Sequence, residues 1–155
     1  MSLIKDKTDV KISISLMTVN DIPQIVDIER MCFSNNPWTE NMFLAELYKI
    51  NSYFFTAKIY NNVVGYAGIW LVKDEAHIVN IAVHPEFRRL RIGSMLLQKL
   101  LRLAKQKGVR DVTLEVGATN KEAICFYEKF GFIYVSCRKR YYSNGEDALI
   151  MWRKV

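Results

Sequence analysis

Between the apolar runs AHIVNIAV and DVTLEV, the residues Leu96, Leu100 and Leu103, flanked by Leu97, Leu101 and Ala104, recur at three- and four-residue intervals. That period lays one apolar stripe along a helix from Ile92 to Lys107, and Gly108 supplies its stop. A strand, helix, strand unit of this kind must bury its stripe against a sheet. Upstream, SYFFTAKIY and VVGYAGIWLV flank Asn61-Asn62, whose tolerance of positive φ suits a hairpin turn. Val10 to Met17 alternates as a first strand. Asn20 or Asp21 then caps a helix with Pro23 in its first turn and with Ile22, Ile25, Val26, Ile28 and Glu29 on one face. After NNPW, Thr39 opens a second helix through Met42, Phe43, Leu47 and Ile50. Asn120 to Phe130 forms a further helix closed by Gly131, and FIYVSCRKRYY pairs with DALIMWRKV around the turn SNGE. The order β, α, α, β, β, β, α, β, α, β, β predicts an α/β (α+β) fold with one mixed, mostly antiparallel sheet and helices on both faces.

No repeat, linker or low-complexity stretch interrupts the 155 residues, so a single domain over 1–155 is expected, with residues 1–10 disordered or foreign to it. No apolar run approaches the ~20 residues that cross a bilayer, and the start of the chain is polar. A cytoplasmic protein with no membrane partner is expected. Cys32, Cys125 and Cys137 are odd in number and show no CxxC, which reads as reduced thiols. With only His77 and His84 to add, no metal site is signalled. The net charge of +6 suits an anionic ligand or a ribonucleoprotein partner and does not choose between them.

Two stretches carry chemistry. IAVHPEFRRLRIGSMLL sets a basic, glycine-containing turn between a strand and the strong helix. Unpaired N–H groups at such a helix start, with the positive end of the dipole, bind phosphate well. Taken alone, the same residues also make a solvated basic turn. In LEVGATNKEAICFYEKFGF, Glu115 stands on an otherwise apolar strand and Tyr127 on a helix whose inward positions are apolar. An α-amine has a pKa near ~8 and must lose a proton before attacking a thioester, a task for a carboxylate; a phenol can protonate the departing thiolate. The residues alone also permit a Glu115 paired with an arginine and a Tyr127 used for packing.

The first stretch resembles motif A of the GNAT acetyltransferases, R/Q-x-x-G-x-G/A, with Arg88 and Gly93 at the outer positions and Arg91 where a glycine is usual. Together with DEAHIVNIAVHPEFRR, NPWTE and RKRYY in the same order, the chain is similar from Asn20 to Met151 to the bacterial branch that acetylates the N-terminal alanine of ribosomal proteins, the RimI type. The resemblance implies a splay between the fourth and fifth strands and acetyl-CoA (coenzyme A) as cofactor. Its pantetheine would run along Ile81, Ala82 and Val83, with an oxyanion donor near the Ile81 N–H. Its pyrophosphate would sit at Arg88, Arg89, Arg91, Ile92, Gly93 and Ser94, with Asn120 and Tyr127 near the arm. It further implies Glu115 as base, Tyr127 as acid, and a small-subunit ribosomal protein N-terminus as acceptor, without direct nucleic-acid binding.

Trp38, Tyr141 and Tyr142 are expected to bind the acceptor, although Trp38 could equally staple the second helix and the tyrosines could simply pack. Cys125 has no histidine beside it in the motif and reads as a small core residue, which favours direct transfer. The same fold serves other amines (lysine, polyamine, small molecule), and a non-catalytic acyl-CoA-binding module is the rival from another class.

Overall fold

The computed structural model describes residues 10–155, so the expected disorder over 1–10 lies almost wholly outside the described residues. The elements are β1 (Ser13–Leu16), α1 (Ile22–Cys32), α2 (Glu40–Glu46), β2 (Ser52–Ile59), β3 (Asn62–Val72), β4 (Glu75–Val83), α3 (Ile92–Gln106), β5 (Asp111–Gly117), α4 (Lys121–Lys129), β6 (Ile133–Arg138) and β7 (Ala148–Lys154). They follow the order read from the sequence. The strands form one seven-stranded sheet, β1-β2-β3-β4-β5-β7-β6. Every neighbouring pair is antiparallel except β4 and β5, the pair that the α3 crossover joins.

The two sheet faces hold separate cores. On one, the α3 stripe of Leu96, Leu97, Leu100 and Ala104 meets Ile69, Ile78, Val112, Leu114 and Met151. On the other, Ile22, Ile25 and Ile28 of α1 and Phe43 of α2 meet Phe54, Tyr66 and Ala82. At roughly 25 cal/mol per Å² of apolar surface buried, these faces hold the sheet against its helices and fix where its strand ends emerge.

Several boundaries differ from the expectation, each for a local reason. The β2–β3 turn uses Tyr60 and Asn61 at φ 50° and 67°, one residue earlier than expected. β1 pairs over only four residues. Asp21 does not cap α1 with its side chain; its carboxylate accepts from the Thr18 N–H at 2.9 Å and pairs with Lys58 at 2.8 Å. α2 stops at Glu46, whose buried carboxylate is held by Lys49, Ser52 and the Trp70 indole, and Ile50 is exposed. β6 ends at Arg138, because Asp147 accepts from the Arg140 N–H at 2.9 Å and draws the chain off the ladder. Tyr141 and Tyr142 therefore sit in a loop and not on a strand.

A single irregularity in β4 decides which of its side chains face which core. Gly68 pairs with Asn80 while Ile69 pairs with Ile78, so Val79 is an extra residue in β4. The bulge reverses the alternation of side chains. Ile78 faces the α3 core, whereas Ala82 packs in the α1 core and Asn80 bonds to Glu29 of α1. Opposite the bulge, a Cβ at Gly68 would overlap the Phe54 ring. Gly68→Ala should therefore lower unfolding stability by about 1–3 kcal/mol, the usual cost of overpacking, read as a drop in the urea midpoint at unchanged slope.

Candidate active site

The parallel ladder between β4 and β5 runs only from Glu75–Asp111 to Ile78–Leu114. Beyond it the strands diverge. The His84 N–H bonds to the Val64 carbonyl, so by the alternation of an antiparallel ladder Ala82 and Asn80 bond to β3 while Ile81 and Val83 turn their backbone groups toward the gap. Protein groups occupy two of them: the Asn80 Oδ1 accepts from the Ile81 N–H at 3.0 Å, and the Cys32 thiol donates to the Val83 carbonyl at 3.4 Å. The Ile81 N–H, expected as an oxyanion donor, is thus engaged by its own neighbour.

A cleft of about 850 Å³ opens at this divergence. Its β4 wall is Ile81, Ala82 and Val83; its floor is Arg88, Arg89, Arg91, Ile92, Gly93 and Ser94; its far wall includes Asn120 and Tyr127. The structure brings together every residue that the family resemblance assigned to cofactor binding. Ala82 and Ile92 are buried, so they offer the cleft backbone and not side chain.

At the floor, the first helical bond of α3 runs from the Met95 N–H to the Arg91 carbonyl, leaving the N–H groups of Ile92, Gly93 and Ser94 without intrahelical partners. Arg89 and Arg91 both adopt left-handed backbone, at φ 66° and 62°. For Arg91, the position where the motif usually has glycine, this is a backbone conformation that glycine adopts without cost. A Cβ added at Gly93 would lie 3.6 Å from the Phe126 ring and 3.8 Å from Val83, in the space between α4 and β4. Free N–H groups at a helix start, three guanidinium groups and an exposed strand edge suit the pyrophosphate and the amide arm of coenzyme A.

Of the candidate catalytic and acceptor residues, Tyr127 lines this cleft, whereas Glu115, Tyr141 and Tyr142 are not among its lining residues. Tyr127 is 9% exposed, packs edge-on against Phe126 and Phe132, and lines the cleft. Burial, with the charge of Tyr142 adding, pushes its phenol well above the ordinary value. Glu115 lies on the opposite sheet face from the Val112, Leu114 and Val116 core, and Arg138 faces it at 3.7 Å. The arginine pairing that the sequence allowed is present, at a length beyond a hydrogen bond and with Arg138 half exposed. Tyr141 stacks edge-on with Tyr142 at 5.2 Å. The Glu115 carboxylate, by hydrogen bonding first, raises the Tyr141 phenol; burial, then Glu115 and Tyr141, push Tyr142 up to about 12. The charge of Glu115 thus acts on Tyr142, and that of Tyr142 on Tyr127.

Other expected residues fall elsewhere or carry a second task. Trp38 does not join the cleft: its ring packs at 5.2 Å on Phe43 and 6.1 Å on Phe54, anchoring α2 to the core. The Asn120 Oδ1 caps α4 by accepting from the Ala123 N–H at 3.2 Å. Sequence reasoning missed Phe126, Cys32 and Phe33, which also line the cleft. Phe126 was findable as the residue beside Tyr127 on the same helix; Cys32 and Phe33 are brought in only by the tertiary docking of α1.

A diverging parallel pair over a basic helix start defines an acyl-CoA-type transferase fold, and residues 22–132 match the Acetyltransferase (GNAT) family, to which the chain belongs. Members of this family take their acetyl group from acetyl-CoA. Among its relatives is a Bacillus subtilis (strain 168) protein, 40% identical over 92% of this chain and 95% of its own, provisionally named a ribosomal protein bS18-alanine N-acetyltransferase. An N-alpha-acetyltransferase of Sulfolobus acidocaldarius is 35% identical over 94% of both chains. The crystal structure of the ribosomal-protein-S18-alanine N-acetyltransferase from Escherichia coli superposes with a TM-score of 0.86 at 32% identity, covering 94% of each chain. No helix among the described residues is long and apolar enough to cross a membrane.

If the turn binds phosphate through backbone N–H groups, Arg91→Gly should leave coenzyme A affinity within about threefold, since glycine adopts the same left-handed backbone without strain. Calorimetry showing collapsed binding would instead make the Arg91 guanidinium the ligand.

Proposed function

We propose that this protein transfers an acetyl group from acetyl-CoA to the N-terminal α-amine of a protein, the acceptor being the N-terminal alanine of ribosomal protein bS18, in the cytoplasm. The observation that carries the reading is the placement of a carboxylate on β5 and a buried, protonated phenol on α4, the strand and the helix that frame the splay. The named activities of the bacterial and archaeal relatives support the choice of an α-amine.

When bound, acetyl-CoA supplies the acetyl group as a thioester. Arg88, Arg89 and the N–H groups of Ile92, Gly93 and Ser94 hold the pyrophosphate, and the β4 edge at Ile81 and Val83 aligns the arm. Glu115 accepts the proton that an α-ammonium must lose before its nitrogen can attack. Tyr127 holds a proton for the thiolate that leaves, and its burial keeps that proton in place. Tyr141 and Tyr142, in the loop before β7, shape the side from which the amine approaches. Cys125, exposed on α4, takes no part.

Mass spectrometry decides the acceptor: bS18 peptides with a free N-terminus, lysine peptides and polyamines are offered together with acetyl-CoA. Acetyl on the alanine α-amine is expected. Acetyl only on lysine or a small amine would move the reading to another acceptor.

Glu115→Gln should lower kcat by roughly 10² to 10⁴ with coenzyme A affinity retained, and part of the loss should return at higher pH, where more of the amine is already neutral. A fall under about tenfold would assign proton removal elsewhere. Tyr127→Phe keeps the ring and deletes the hydroxyl. It should cost about 1 kcal/mol or less in stability but roughly 10² in kcat, with the KM for acetyl-CoA little changed.

The wild-type rate should also show no alkaline limb near the ordinary phenol pKa of about 10, because the raised value keeps Tyr127 protonated beyond it. A limb at that pH that disappears in Tyr127→Phe would mean the phenol is not buried during turnover.

A further inference from the structure

Glu29 lies in the interior of α1 and is 2% exposed, a setting in which an isolated carboxylate is costly. Three donors from three different elements converge on it. The Trp38 backbone N–H reaches Oε1 at 3.1 Å from the loop between α1 and α2. The Asn80 Nδ2 reaches Oε2 at 3.2 Å from β4, and the Tyr66 hydroxyl of β3 donates to the same oxygen. Asn80 faces this side of the sheet only because the bulge at Val79 reverses the alternation of β4.

The network does not end at Glu29. The Asn80 Oδ1 accepts from the Ile81 N–H, the backbone donor turned toward the splay. At the other end, the loop that carries Trp38 begins with Phe33, which lines the cleft. One carboxylate therefore links a wall of the cleft, through Trp38, to the strand along which the cofactor arm is aligned, through Asn80. A carboxylate suits this task because each of its oxygens accepts and neither need donate, so donors can approach from two directions at once.

We propose that Glu29 is a positioning residue for the acetyl transfer: it fixes the loop of residues 33–39 relative to the β4 backbone at Ile81, and so sets where the acceptor amine meets the thioester. This rests on the acetyl-transfer reading of the same cleft. Glu29 touches neither substrate, and it acts through Trp38 and Asn80.

Two variants separate positioning from general stability. Glu29→Gln exchanges one acceptor oxygen for an NH₂ group that cannot receive an N–H, so one arm of the link is lost. Tyr66→Phe deletes the third donor to the same carboxylate, together with the 3.0 Å bond that the Asn80 Nδ2 gives to that hydroxyl, but leaves the Trp38 and Asn80 bonds to Glu29 itself, and the ring keeps its edge-on contact with Phe43 at 5.4 Å. Hydrogen exchange at residues 33–39 and steady-state kinetics with acetyl-CoA and an N-terminal acceptor peptide are measured on both. Glu29→Gln should speed exchange at the Trp38 amide about tenfold and raise the acceptor KM about fivefold or more, with the KM for acetyl-CoA within about twofold. Tyr66→Phe should lose stability yet keep both KM values within about twofold. An active wild type whose Glu29→Gln variant tracks Tyr66→Phe in exchange and kinetics overturns this proposal alone; a wild type that acetylates no amine removes it together with the functional reading. If Glu29→Gln does not fold, Asn80→Ala cuts the link from the β4 side, and an acceptor KM within about twofold of wild type then overturns the proposal.

Discussion

The divergence of β4 from β5 is the constraint on which the site depends. A parallel pair cannot close by a hairpin, so α3 must cross over the sheet, and its leucine stripe then presses the two strands together where Ala76, Ile78, Val112 and Leu114 form the core. Past Ile78 and Leu114 that clamp ends and the ladder is lost. Backbone groups left without partners in a folded interior must find others, and here Asn80 and Cys32 supply them at Ile81 and Val83. Both are side-chain substitutes on a strand edge that has lost its neighbour. Such an edge is the geometry that an extended amide-bearing arm laid in the gap would complete.

The floor of the cleft shows how a local cost is carried by packing. Two arginines in left-handed backbone are unfavourable by roughly 1–2 kcal/mol each relative to ordinary conformations. The turn persists because the helix that follows is fixed, with Ile92, Leu96, Leu97 and Leu100 all within 1% of full burial. What the turn gains is convergence: Arg88, Arg89, Arg91 and three unpaired N–H groups face one volume. The net charge of +6, which by itself selects no partner, is at this place organised for a polyanion.

Periodicity made most of this legible. The α3 stripe, the buried-strand character of β5 and the glycines Gly108 and Gly131, both at positive φ, yield the element order and, with the motif, every residue assigned to the cofactor cleft. What stayed hidden depends on contacts between distant segments. The truncation of α2 follows from Glu46 reaching Ser52 and Trp70, and the early end of β6 from Asp147 taking the Arg140 N–H. The bulge at Val79 leaves no mark in the pattern EAHIVNIAV, since an inserted residue in an apolar run looks like more of the run. Glu29 belongs by its spacing to an apolar face and does lie on it; that it is a buried carboxylate with three donors is a property of β3, β4 and a loop, not of α1. Trp38 is the least decidable from sequence, because an indole beside a helix start packs or binds with equal ease.

The two candidate catalytic groups sit in different surroundings. Glu115 is on the face of β5 away from the α3 core, largely covered, with the half-exposed Arg138 guanidinium 3.7 Å away. Tyr127 belongs to the α3-side core, in contact with Phe126 and Phe132, where a phenolate is disfavoured. Tyr142 is itself pushed up to about 12 by burial and by the Glu115 charge. The negative charge on the strand therefore works against ionisation of the Tyr142 phenol, and that phenol's charge, were it to form, would oppose ionisation of Tyr127. Under the transferase reading no histidine is needed: the Glu115 carboxylate takes the proton that the amine loses, and the Tyr127 phenol, held protonated by burial, retains one for the departing thiolate.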